Sequence, residues 1–124
     1  SDDKLFDEML KIIKKANPGD LIFANFVEFD TLYGHRRDLP GYARALENFD
    51  KQLPKLFSIL NKDDFLVITA DHGNDPSFAG TDHTREQVPV LIKNKKLINK
   101  CYGLINFSDI GSLLENFLRL ETNK

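Results

Sequence analysis

A single cysteine in 124 residues leaves no internal disulfide to staple the fold. Cys101 is expected to be a buried, inert thiol, the state that suits a reducing compartment. No apolar run approaches the ~20 residues a helix needs to cross a bilayer, so no membrane partner is expected. Nothing at the start of the chain has the charged, apolar and small-residue zones of a signal peptide, and the expected location is cytoplasmic. Strong charge of one sign is also missing. A net charge of −2 and a pI near 5.9 carry no nucleic-acid footprint. The one basic cluster, Lys93-Asn94-Lys95-Lys96, reads as a solvated turn after a strand. Internal repeats, low-complexity stretches and linkers are absent too. What is present, 41% hydrophobic and 29% charged residues, is the balance of a folded domain. One domain spanning residues 1–124 is expected.

Taken in order, residues 3–16 place Leu5, Phe6, Met9, Leu10, Ile12 and Ile13 at close to helical spacing. Ser1 or Asp2 is the expected cap and Asn17-Pro18-Gly19 the stop. Leu21–Phe29 is apolar on both faces for most of its length, the pattern of a central parallel strand. A polar stretch, Asp30 to Asp38, then leads into a helix expected over Tyr42–Leu60, with Pro54 expected to kink or divide it. Phe65–Ala70 and Val88–Ile92 read as strands, and Cys101–Phe107 as a short edge strand. Ser108 is the expected cap of a last helix, Ile110–Leu120. This order predicts an α/β fold, layered α/β/α around a mostly parallel sheet, with polar loops leaving the carboxyl ends of two strands. So few strands make a thin sheet for such apolar sequence. The chain therefore reads as part of a larger sheet with an edge left open.

The chemistry gathers where the apolar runs stop. The chain has three histidines, and each follows strand-like sequence beside an acid. His35 comes five residues after Asp30, His72 directly after Asp71, and His83 directly after Asp82. Imidazole with carboxylate and without thiolate suits Mn2+ or Zn2+. Ligands from two strand ends and a loop can meet at the open carboxyl edge of a sheet. Two ions roughly 4 Å apart there would clamp the attacking and leaving oxygens of a phosphoryl group. Taken singly, each histidine also reads as a capping or surface residue, and Asp30 as a turn former. Arg36, Arg37 and Arg85 either meet phosphate or pair with Asp38, Asp82 or Glu86. Asp75 either orients a ligand histidine or starts a turn with Pro76. Ser77, Thr81 and Thr84 have no evident base to activate them, and Tyr33 reads as packing.

The strings TADHGNDP (69–76), GTDHTREQVPVL (80–91) and FDTLYGHRRD (29–38) together resemble the C-terminal segment of the phosphopentomutases, members of the alkaline phosphatase superfamily. The resemblance extends through GYARALENFDKQLP (41–54) to nearly the whole chain. ADHGN alone is shared with cofactor-independent phosphoglycerate mutases, but those have D-x-x-x-H where this chain has D-x-x-x-x-H. The resemblance implies transfer of phosphate between C1 and C5 of ribose or 2-deoxyribose, with two Mn2+ ions, a phosphorylated threonine and a sugar bisphosphate activator. It implies that Asp71 and His72 ligate one metal and that Asp30, His35 and His83 ligate the other. The family's threonine nucleophile, a further metal-binding aspartate and the sugar-recognising cap domain match nothing in these residues. Residues that contact substrate are not indicated. The expectation is a C-terminal piece of such an enzyme, inactive by itself, that retains most of the metal cradle and self-associates through its uncovered sheet edge. The alternatives are another phosphotransferase of the same superfamily, such as a cofactor-independent phosphoglycerate mutase, and a non-catalytic metal-binding module.

Overall fold

A computed structural model of the chain describes residues 1–97 and 100–119. The first helix, α1 (Asp2–Ile13), buries Phe6 completely. Asp2 and Asp3 in its first turn complement the helix dipole. The Asp2 carboxylate also accepts the Glu28 N–H at 3.0 Å, and burial is the main cause that raises its pKa. Asn17-Pro18-Gly19 ends the segment as expected. The Asn17 N–H donates to Asp20 Oδ2 at 2.8 Å, and Gly19 takes φ 95°, a value that favours glycine.

The strand expected over Leu21–Phe29 does not form. Residues 21–28 have no paired strand among the described residues, although their exposure alternates with the period of a strand. Ile22, Ala24, Phe26 and Glu28 turn inward, while Leu21 and Phe23 remain 64% and 86% exposed. An extended segment becomes a strand only when a neighbour takes its backbone donors and acceptors. Its inner face is held by aromatic packing instead. Phe26 lies 6.1 Å from Phe6 and 5.3 Å from Phe49, ring centre to ring centre, and Phe29 lies 6.1 Å from Phe49. Such tilted and edge-on pairs favour the ring quadrupoles.

Phe29–Gly34 forms a π-helical turn, and α2 (Leu39–Ile59) follows it. Asp38 caps α2 by accepting the Gly41 N–H at 2.9 Å, and Pro40 occupies the first turn, where no donor is lost. The helix starts three residues earlier than the apolar pattern indicated. It is not divided at Pro54 but continues through it to Ile59, carrying the buried Leu56 in its last turn.

β1 (Leu66–Ile68) and β2 (Leu91–Lys93) pair antiparallel, Val67 opposite Ile92. The described residues thus mix helix and strand, but their one sheet has two antiparallel strands, not the mostly parallel sheet expected. Residues 69–90 return the chain alongside β1 in the opposite direction. The run that was to supply a parallel neighbour, 21–28, pairs with neither strand.

The edge strand expected at Cys101–Phe107 is also absent, and Cys101 is exposed rather than buried because no sheet covers it. Phe107 instead opens α3 (Phe107–Leu118). Asn106, not Ser108, is the cap. It forms a capping box with Asp109, each side chain taking the other's backbone donor. Leu120, the expected end of this helix, lies outside the described residues. Phe117 of α3 packs on Phe65 at 4.7 Å, a second and smaller apolar centre. Lys95 pairs with Asp63 across the turn after β2, in keeping with a solvated basic turn.

The chain exposes 9386 Å². A folded monomer of 14.2 kDa is expected to expose roughly 6,800 Å². No helix among the described residues is long and apolar enough to cross a membrane.

Candidate metal centre

The π-helical turn explains the spacing of the first two candidate ligands. Its wide turn closes with the His35 N–H donating to the Asp30 carbonyl at 2.9 Å, an i→i+5 bond. Residues five apart therefore lie one above the other, and His35 Nε2 comes 3.2 Å from Asp30 Oδ2. Loop 69–90 brings the other two histidines. His83 Nε2 lies 3.4 Å from Asp30 Oδ1, and the His83 ring stacks on that of His72 at 3.6 Å. Asp30, His72 and His83 each offer a ligand atom within 4.8 Å of the other two. The His35 and His83 rings are 4.8 Å apart. Asp71 stands at the margin, 80% exposed, its carboxylate 3.7 Å from His72 Nε2.

The imidazole tautomers follow from their partners. A carbonyl can only accept, so His35 Nδ1–H donates to the Thr81 carbonyl and His72 Nδ1–H to the Gly73 carbonyl, the latter at 3.2 Å. In the neutral ring each Nε2 then presents a lone pair to the site. For His35 that lone pair faces a carboxylate oxygen. A proton on Nε2 or a metal ion makes that contact favourable, and a backbone carbonyl on the far nitrogen is a common support for a metal-binding histidine. The donor set fits a divalent ion of the Mn2+ or Zn2+ kind.

Loop 69–90 is pinched behind the histidines. The Thr84 N–H donates to the Gly73 carbonyl at 3.1 Å, and the Asp75 N–H donates to Thr84 Oγ1 at 2.6 Å. A side chain at Gly73 would overlap the Glu86 backbone, so only glycine permits this approach. The Asp75 carboxylate accepts from the Ser77 N–H and hydroxyl, and those bonds hold its pKa below the usual carboxylate range. Asp75 thus starts the turn and contacts no histidine. Thr84 and Ser77 serve the turn as well. Tyr42 packs its ring on Phe29 at 6.0 Å, and burial, then the Asp30 charge, raises its pKa.

Two polar groups behind the ligands were not legible in the motif spacing. Asn74 donates its side-chain amide to Asp30 Oδ1 at 2.6 Å. Arg37 lies across the cluster and pairs with none of the acids proposed for it. Its Nε donates to the Gly80 carbonyl at 2.5 Å and Nη2 to the Asp82 carbonyl at 2.6 Å. Its Nη1 reaches the Asn74 side-chain oxygen at 2.8 Å, the Asp75 carbonyl at 3.1 Å and the Gly34 carbonyl at 3.2 Å. Arg37 takes φ 54°, which costs an ordinary residue roughly 1–2 kcal/mol. Arg36 and Arg85 are exposed. A sequence signal for Arg37 was hard to find because carbonyl acceptors leave no trace in residue types.

A family model described as the metalloenzyme superfamily matches residues 1–122. The chain belongs to that superfamily. Among curated proteins, it is 52% identical over 118 residues to a phosphopentomutase of Shewanella woodyi, covering 94% of this chain and 29% of the relative. It is 54% identical over 109 residues to a phosphopentomutase of Sinorhizobium fredii (87% and 27%). With a phosphopentomutase of Pectobacterium atrosepticum the identity is 53% over 119 residues (95% and 29%). The resemblance expected from the three strings is therefore found across most of the chain. The chain spans less than a third of the length of these relatives. Membership of this superfamily agrees with a cluster of metal-binding side chains in the structure.

Proposed function

We propose that this chain supplies the metal-holding part of a phosphopentomutase-type enzyme, one that interconverts (deoxy)ribose 1-phosphate and (deoxy)ribose 5-phosphate. The observation that carries the reading is the convergence of Asp30 and His35 with His72 and His83, from segments about forty residues apart, around one carboxylate. In this reading Asp30, His35 and His83 hold one Mn2+, and Asp71 and His72 contribute to a second. Bound there, the ions supply positive charge to phosphoryl oxygens and lower the cost of charge in the transition state. The side chains themselves do three things. Asp30 offers a carboxylate held in place by Asn74. His35 and His72 each commit Nδ1–H to a carbonyl, which turns Nε2 toward the cluster. Loop 69–90 encloses one side of the cluster.

The phosphate-carrying hydroxyl belongs to a threonine outside these residues, primed by a sugar bisphosphate. Within loop 69–90 the Thr84 hydroxyl oxygen accepts the Asp75 N–H and the Ser77 hydroxyl donates to the Asp75 carboxylate. The reading extends to a cytoplasmic enzyme with a small sugar phosphate as its substrate. It also treats residues 1–124 as one domain whose larger, mostly parallel sheet is completed by further polypeptide.

Phosphorus NMR with ribose 1-phosphate, Mn2+ and a sugar bisphosphate tests it. The chain alone is expected to form no ribose 5-phosphate. Adding the remaining part of a relative's polypeptide is expected to restore turnover, and Asp30→Ala is expected to abolish it. Turnover by the chain alone would place the nucleophile among Ser77, Thr81 and Thr84. Conversion of phosphoglycerate in preference to the pentose phosphate would move the reading to the other mutases of the superfamily.

A further inference from the structure

We propose that Arg37 and Asn74 are positioning residues of the metal centre. Arg37 latches together the segments that carry the ligands, and Asn74 transmits that alignment to the Asp30 carboxylate. The inference rests on the metal-binding reading above and gives a role to two residues which the ligand sets of that reading leave without one.

The ligands stand on two pieces of chain that share no strand pairing and no helix. Asp30 and His35 ride on the π-helical turn, whereas His72 and His83 ride on a loop whose ends leave β1 and enter β2. Something must fix one piece against the other before a carboxylate and several imidazoles can share an ion. Arg37 follows the turn directly, and its guanidinium reaches across to both limbs of the loop that the bridge between Gly73 and Thr84 closes. On the first limb it meets Asn74 and Asp75, and on the second Gly80 and Asp82. The planar fork with its several fixed donors can do this; a lysine ammonium, with fewer donors converging on a point, cannot span those acceptors.

Asn74 completes the path. Its oxygen accepts from Arg37 at 2.8 Å while its nitrogen donates to Asp30 Oδ1 at 2.6 Å, so the amide's orientation is set by both partners. Gly34 admits this arrangement because a side chain there would overlap the Asn74 amide. The left-handed backbone of Arg37 fits the same role. A residue held at positive φ persists where its surroundings over-determine it, and here those surroundings are the carbonyls around the guanidinium.

The test uses the 124-residue chain with Arg37→Asn, Arg37→Lys and Asn74→Ala. Asparagine tolerates the left-handed backbone, so the first change removes the guanidinium without adding strain. Two readouts are taken: Mn2+ affinity by calorimetry, and backbone hydrogen exchange without metal. Arg37→Asn is expected to weaken Mn2+ binding about 10- to 100-fold, the usual range for partners behind a ligand. It is also expected to speed exchange at the Asp75 and Thr84 amides while the α2 amides keep their protection. Arg37→Lys should recover little of either. Asn74→Ala should lose affinity on a similar scale with loop exchange unchanged, a split that a merely structural residue would not give.

Unchanged loop exchange in Arg37→Asn overturns the latch, as does faster exchange throughout the chain. Wild-type affinity in Asn74→Ala overturns its transmission to Asp30. No Mn2+ uptake by the unsubstituted chain would remove the metal reading and the positioning role together. That result is distinguished from failure of the latch alone by the wild-type titration.

Discussion

Residues 21–28 and residues 71–84 make a useful pair, because both adjoin apolar runs that read as strands and only one ends in a settled structure. Segment 21–28 keeps the alternation of a strand and packs Phe26 into the aromatic cluster, yet it leaves Phe23 and Leu21 largely exposed. Loop 71–84 has little apolar content and is nevertheless fixed by the Gly73–Thr84 bridge, the Asp75–Thr84 bond and the Arg37 fork. The difference lies in where the partners are. A loop saturated by bonds to its own residues and to a neighbouring turn needs nothing more. An apolar strand needs a second strand alongside it, and the described residues offer none.

The comparison is broken most severely at Phe6. Phe6→Ala removes a fully buried ring that touches both Phe26 and Phe49. A loss of about 3–5 kcal/mol is expected, a large part of the stability of a small domain. Chemical denaturation measures it, and a loss under about 1 kcal/mol would show that the aromatic cluster does not hold segment 21–28 in place.

A smaller effect sharpens the contrast. If segment 21–28 is an unmet strand, the isolated chain should self-associate, and the surface in excess of a folded monomer of its mass points the same way. Phe23→Lys puts a charge on the most exposed aromatic and is expected to weaken association about tenfold, near the worth of burying one such ring. Mn2+ affinity should not change. Sedimentation across a wide concentration range decides the matter, and a monomer at every concentration would contradict the strand reading.

The smallest effect is on the loop side. The Asp75 carboxylate is held below its usual pKa chiefly by its Ser77 hydrogen bonds. A pKa lower in the folded than in the unfolded chain gives stability that is present above the unfolded value. That stability is lost as the pH falls through the folded one. Ser77→Ala should therefore cost a little stability at neutral pH and almost none at low pH, where Asp75 is protonated in both states, so that the acid limb becomes slightly shallower. An acid limb identical to that of the unsubstituted chain would deny the bond its role.

What could be read in advance follows the same division. α1, both ends of the β1–β2 pair and the body of α2 carry their instructions locally, in apolar spacing and in caps such as Asp38. The histidines that cluster around Asp30 could be singled out because imidazole beside carboxylate at the end of an apolar run is uncommon without a purpose. The D-x-x-x-x-H spacing turned out to be the i→i+5 bond of a π-helical turn, which apolar periodicity does not reveal. Leu21–Phe29 misled because a strand's pattern says which face is apolar, not whether a neighbour exists. Pro54 does not divide its helix, which runs on through it to Ile59. Arg37 was read through its charge, and its actual partners are backbone carbonyls that every residue possesses. Cys101 was placed inside a sheet edge that does not form.

The most direct test of the central claim is a Mn2+ titration followed by electron paramagnetic resonance, comparing the 124-residue chain with Asp30→Ala. Free Mn2+ gives a sharp signal that weakens when protein ligands replace water. The unsubstituted chain is expected to quench that signal to saturation, and Asp30→Ala to leave it near the level of buffer alone. Equal quenching by both chains, or none by either, would contradict a metal centre built around Asp30 and the histidines that face it.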